Sequence, residues 1–227
     1  MLSFLDKLES SNKTAAKTIA TYLLYRFADL RDASHIPLSQ ISRLSLEQYE
    51  ALLDGMLRVQ SGGLIPVLLV VAFLRTVKSC FQLKWDIEFH GINVSDKASG
   101  AGGDVTVTQA GEAVLAIEIT ERQIEKSRVV STFNTKIMRG GIGDYLFLYS
   151  AAAPHEEARK VARTYFSQGH EINFVPVNEW IINNLVTLGA KCRRTFTKEF
   201  LARLEDREVP ASVKMAWNDQ VRHLVGS

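Results

Sequence analysis

The sequence predicts an α/β fold: a mixed central sheet flanked by helices, with an N-terminal helical lobe. Three observations carry that expectation. Apolar residues recur at helical spacing through residues 1–58, with Leu2, Leu5 and Leu8, then Ile19, Leu23 and Phe27, while acidic and basic residues balance. From about residue 64 strand-like runs alternate with helical ones. The order that results is helix, three strands, helix, strand, helix, strand, as a mixed sheet with covering helices requires. We therefore divide the chain into a helical lobe, 1–60, and an α/β core with C-terminal helices, 61–227.

Within the lobe, "SHIPLSQIS" (34–42) is a Ser- and Pro-marked connection. "SLEQYEALLDGML" (45–57) reads as a helix capped by Ser45, with Glu47 and Gln48 in its first turn. "LIPVLLVVAFL" (64–74) is the most apolar run. It is about half as long as a membrane crossing needs and holds Pro66 where a first helical turn admits it. It reads as the start of a buried helix, 64–82, and no membrane partner is expected. "KWDIEFHGI" (84–92) alternates as a strand does, and the loop "SDKASGAGG" leads into two further strands within "GGDVTVTQAGEAVLAIEITER" (102–122). A helix is expected over 123–138, ended by "GGIG". "YLFLYS" (145–150) reads as a buried strand, and Pro154, Glu156 and Glu157 open a helix that stops near Gly169. "INFVPV" (172–177) is a last strand, and the chain is helical from Glu179.

Composition excludes several classes. The chain has 227 residues, 46% hydrophobic and 23% charged, with a net charge of +2. No global basic field announces a nucleic acid, so such a partner has to be met by a local patch. Cys80 and Cys192 are too few for a disulfide framework or zinc cluster and read as apolar fillers in a reducing cytoplasm. Residues 1–20 lack the apolar core of a signal peptide. "GAGGD" is followed by a strand instead of a helix, "RGGIGD" lacks the Lys-Ser/Thr of a phosphate-binding loop, and no GxSxG elbow occurs. His35, His90, His155, His170 and His223 show no zinc spacing.

The paired strands carry the most specific signal. If residue i faces residue 222 − i, Val105 lies opposite Ile117 and Val107 opposite Leu115, joined by the loop Ala110-Gly111-Glu112. A slip of one residue would send Leu115 and Ile117 to the other face. In the favoured register Asp104 falls opposite Glu118, on the face away from the core. Two opposed carboxylates repel unless something positive lies between them. Mg²⁺, which takes one or two carboxylates plus waters, is one answer. A solvated hairpin face carrying two acids is the other, and the spacing alone does not choose between them.

Asp104, Glu118 and the residue two further on resemble the PD-(D/E)xK nuclease motif. The text "EITERQIEKSRVVSTFNTKI" is similar to the segment that follows it in type II restriction endonucleases, of the SacI type. The resemblance runs over about residues 84–177. It implies a restriction-endonuclease-like core and a Mg²⁺-dependent, sequence-specific cleavage of double-stranded DNA by a cytoplasmic homodimer. Asp104, Glu118 and the Ile119 carbonyl would hold the metal. This sequence departs from the motif at its third position, which is Thr120 where the motif has Lys. Thr120 shares a face with Glu118, so its hydroxyl could touch a water beside the metal without supplying charge. Lys136 is the candidate substitute, with Lys126 behind it and Lys97 third. Glu121 is a possible extra ligand. Arg122, Gln123, Lys126, Arg128, Asn134 and Arg139 are the candidate DNA-contacting residues around the following helix. A solvated helix face is the plain reading of the same residues. The basic run "KCRR" (191–194) with Lys198 is equally a helix-boundary charge. A catalytically silent DNA-binding or assembly domain with a nuclease fold, or a structure-specific nuclease, is the alternative function.

Overall fold

The computed structural model describes residues 13–33, 36–89 and 103–226. The chain forms two compact units, residues 1–37 and 38–227. The first contains helix α1 (Lys13–Ala33). In the second, α2 (Leu46–Leu57), α3 (Leu64–Phe81), β1 (Trp85–Phe89), β2 (Val105–Gln109) and β3 (Glu112–Thr120) come first. There follow α4 (Lys126–Thr132), β4 (Asp144–Tyr149), α5 (Glu156–Phe166), β5 (Glu171–Pro176), α6 (Val177–Leu204) and α7 (Ala211–Gly226). The division after residue 37 places α2, expected within the lobe, in the larger unit. There it buries Tyr49, Leu52, Leu53 and Met56, and the Tyr49 hydroxyl meets Thr197 Oγ1 of α6 at 2.7 Å.

The local signals at the helix starts behave as read. Ser45 caps α2 in a reciprocal box: its hydroxyl accepts the Gln48 amide at 3.1 Å, and its own amide donates to Gln48 Oε1 at 2.9 Å. Pro66 lies in the first turn of α3, whose second amide, Ile65, donates to Ser61 Oγ at 3.0 Å. Helix α3 is long and apolar enough to pass for a membrane crossing, but most of it is buried among α2, α6 and the sheet.

The sheet order is β1-β2-β3-β4-β5, antiparallel across the first three strands and parallel from β3 to β5. Side-chain alternation divides two cores. Val105, Val107, Ile117, Leu146 and Leu148 face α3, α6 and α7. Ala116, Tyr145 and Phe147 face the opposite way, under α4 and α5, with Val129, Phe133, Ile137, Ala158 and Ala162. The face carrying Asp104 and Glu118, expected to lie away from the core, is therefore covered too, and Glu118 is only 5% exposed.

The predicted register holds at Val105↔Ile117 and Val107↔Leu115. It then shifts, so that Thr108 faces Ala113 and Gln109 faces Glu112. The expected three-residue loop is thus a two-residue turn, Ala110-Gly111, both at positive φ (54° and 85°), with a bulge behind it. A primed turn matches the twist of the strands, and the bulge absorbs the odd residue.

The helix expected over 123–138 begins three residues later. Arg122 and Gln123 are exposed in the connection, and Ile124 is buried there, its carbonyl accepting the His155 amide at 3.0 Å. From Thr132 the helix runs on through a π-helical turn, Phe133–Ile137, to a short α segment, Met138–Gly140. The two cysteines also differ from the expectation. Cys80 on α3 and Cys192 on α6 are joined as a disulfide with Cα atoms 6.1 Å apart. Their 112-residue separation concealed that α3 and α6 pack side by side.

Candidate metal centre

The entry to β2 and the end of β3 build the floor of the site. Gly103 precedes β2 and approaches β3 so closely that a Cβ on it would collide with the Ile117 carbonyl. This approach brings Asp104 alongside β3, where its Oδ2 accepts the Ile119 amide at 2.6 Å. An extended residue turns its N–H and C=O to the same edge, so the Ile119 carbonyl lies on the Asp104 side. The Thr120 carbonyl, one residue on, faces β4 and accepts the Ser150 amide at 3.1 Å.

Glu118 is held from four directions. Arg128 Nε and Nη2 each lie 2.7 Å from Oε1. The Tyr145 hydroxyl donates to Oε2 at 2.8 Å, Lys136 Nζ lies 3.3 Å from the same oxygen, and the Thr132 hydroxyl donates to it at 3.4 Å. The positive partner that the opposed acids demand is thus supplied by protein cations in this structure. Burial pushes the Glu118 carboxyl up, but the Lys136 and Arg128 charges and the Tyr145 and Arg128 hydrogen bonds outweigh it and hold it below the ordinary value. Burial raises Asp104 and the Glu118 charge adds to this, against the Ile119 amide and the two cations. Tyr145 is pushed far up by burial and by the Glu118 carboxylate it bonds, so it stays a neutral donor.

The π turn explains how one helix delivers Arg128, Thr132 and Lys136 to one carboxylate. An α-helix advances ~100° per residue, so Thr132 sits ~40° round from Arg128. Four further α-helical residues would carry Lys136 another ~40° away, whereas the wider π turn advances only ~82° per residue and returns it by ~30°. The five-residue closure is visible in the Met138 amide, which donates to the Phe133 carbonyl. Nothing in a periodicity built on 3.6 residues per turn announces such a turn.

The remaining predicted residues divide by direction. The Thr120 hydroxyl, expected to reach a water beside the metal, accepts the Arg122 amide at 3.1 Å and Arg128 Nη1 at 2.8 Å. Arg128, expected on the DNA side, is turned inward. Arg122, Gln123, Lys126, Asn134 and Arg139 are exposed, and Glu121 is exposed in the bend after β3. Lys97 lies outside the described residues. Tyr145 and Thr132 were missed: a tyrosine in a buried strand and a threonine on a helix carry no sequence signal until β4 is placed beside β3.

The donors fit a hard divalent cation in kind. Asp104 Oδ1 makes no hydrogen bond to a described residue, and the Ile119 carbonyl edge adjoins it. Two carboxylates and a carbonyl are the oxygen set that Mg²⁺ takes with waters. Among the described residues no cluster of three or more His, Cys, Asp or Glu exists. Glu118 itself is saturated by its partners, so a cation reaching it has to displace one of them.

An antiparallel hairpin feeding a helix and then a parallel strand, with paired acids on the covered face, defines a restriction-endonuclease-like core. Residues 42–150 match the family model of the SacI restriction endonuclease C-terminal domain, and to that extent this segment is similar to SacI-type restriction endonucleases. The match contains the hairpin, α4, the π turn and β4, and it also takes in α2, beyond the reach of the resemblance read from the sequence. No curated protein matches the chain.

Proposed function

We propose that the chain is a Mg²⁺-dependent, sequence-specific DNA endonuclease of the type II restriction class, acting in the cytoplasm as a homodimer on double-stranded DNA. The observation that carries the reading is the pair of half-buried Asp104, just before β2, and buried Glu118 on β3, with two cations beside them, inside the segment that matches this family's model. Asp104, Glu118 and the Ile119 carbonyl would hold the metal. When bound, Mg²⁺ supplies a Lewis acid at the scissile phosphate and a water of lowered pKa. Lys136 stands 3.3 Å from Glu118 and would offer positive charge to a phosphate bound beside the metal. Asp104 stays fixed by the Ile119 amide, and Thr120 orients Arg128. The exposed Arg122, Lys126 and Arg139, with Gln123 and Asn134, offer contacts to backbone and base edges. A palindromic target would be met by a twofold dimer.

The saturation of Glu118 and the absence of the motif lysine favour one second reading, a silent DNA-binding domain. Plasmid cleavage separates the two. Incubation with Mg²⁺ should yield discrete fragments that EDTA abolishes, with a common sequence at the mapped ends. Retained DNA binding without cleavage would select the silent domain, and random nicking would select a structure-specific or non-specific nuclease.

A further inference from the structure

Among the described residues, Arg128 touches both Glu118 and the side chain at the position where the motif carries its lysine. Its Nε and Nη2 meet Glu118 Oε1, and its Nη1 lies 2.8 Å from Thr120 Oγ1. We propose that Arg128 takes over, from the helix, the place of the lysine missing at position 120. In that place it neutralises Glu118 in the metal-free site and yields the carboxylate when a divalent cation binds. This rests on the metal-site reading of Asp104 and Glu118.

The geometry favours Arg128 over Lys136 on three grounds. Oε1 of Glu118 receives both Arg128 nitrogens, so a cation cannot share that oxygen while Arg128 holds it. Lys136 is the longer contact, 3.3 Å, on the oxygen that Tyr145 and Thr132 already satisfy. Only Arg128 also reaches Thr120, whose side chain projects where a motif lysine would. The Arg128 side chain is one-third exposed, at 33%, against 7% for Glu118, so the guanidinium can withdraw toward solvent and incoming phosphate while Glu118 stays fixed. Arginine keeps its charge at every working pH. Arg128 therefore replaces the lysine as a fixed positive charge and not as a proton acceptor.

The test uses the full chain and three variants: Arg128→Gln, Arg128→Lys, and Arg128→Gln combined with Thr120→Lys. Mg²⁺ is titrated calorimetrically without DNA, and plasmid cleavage is timed at saturating Mg²⁺. Removing a competing cation should tighten Mg²⁺ binding in Arg128→Gln about tenfold, while cleavage slows about 100-fold. Returning a lysine to position 120 should restore most of the rate and relax the affinity toward wild type. A simple brace predicts otherwise, with metal affinity unchanged or weakened in step with lost thermal stability, and that result overturns the proposal. So does a double variant that fails to regain activity. If Arg128→Gln does not fold, Arg128→Lys decides. A lysine offers one nitrogen to Glu118 in place of the two that Arg128 sets on Oε1, so Mg²⁺ affinity should rise, and an unchanged affinity overturns the proposal. A wild type that binds Mg²⁺ without cutting DNA removes the nuclease reading, and the titration still judges Arg128. A wild type that binds no Mg²⁺ removes both.

Discussion

Tyr145 donates its hydroxyl to Glu118 Oε2 at 2.8 Å from the neighbouring parallel strand, under the cover of α4 and α5. A carboxylate in that position is tolerated because every direction around it is answered by a donor. Tyr145→Phe keeps the ring and deletes only this donor. A hydrogen bond to a charged group contributes about 1.5–3 kcal/mol, so urea denaturation should show a loss of that size. An unchanged midpoint would mean that Glu118 is satisfied without Tyr145.

Gly103 sets the approach of β2 to β3. In Gly103→Ala the new Cβ meets the Ile117 carbonyl, which belongs to a central strand and has little room to move. Overpacking of this kind costs about 1–3 kcal/mol. It should also carry Asp104 away from the Ile119 amide. The variant is expected to lose thermal stability and Mg²⁺ affinity together, measured by calorimetric melting and titration. Asp104→Asn should lose Mg²⁺ affinity alone.

Much of this site was legible in the chain itself. Leu115 and Ile117 had to share a face with Val105 and Val107, and that requirement alone set Asp104 opposite Glu118. What was hidden depended on neighbours distant in sequence. The burial of Glu118 comes from α4 and α5 folding over a face that the hairpin alone leaves open. The inward turn of Arg128 follows from a helix starting at Lys126 and not at Gln123. The line-up of Lys136 needs the π turn, and the Cys80–Cys192 link needs the packing of α3 on α6. The hairpin loop was misjudged by one residue because a bulge has no compositional mark: the unpaired Val114 reads as an ordinary strand residue.

The hairpin turn holds Ala110 at φ 54°, where an L residue other than Gly, Asn or Asp is strained by about 1–2 kcal/mol. Ala110→Gly removes the Cβ at a site far from the acids. It should raise stability by up to about 1 kcal/mol, less the added freedom of the unfolded chain. Thermal melting checks this, and a lower melting temperature would contradict the primed turn.

Asp144 and Glu171 begin the paired strands β4 and β5 directly opposite each other. Burial and the Glu171 charge raise the Asp144 carboxyl above its ordinary value. A raised acid binds its proton more readily folded than unfolded, so its ionisation opposes folding, and stability falls as pH rises through that interval. Asp144→Asn should therefore melt higher than wild type at pH 7. The advantage should shrink on acidification and vanish below about pH 4, where the unfolded aspartate is also protonated. Equal melting temperatures at pH 7 would show that the Asp144 charge is not opposed.

The central claim is that Asp104 and Glu118 form a metal site that cuts DNA. Its most direct test is plasmid cleavage by wild type and Asp104→Asn side by side in Mg²⁺, with melting curves showing that both are folded. The account predicts discrete fragments from the wild type and none from the variant, at matched stability. Fragments of the same pattern from Asp104→Asn would contradict it, because the metal would then be held elsewhere.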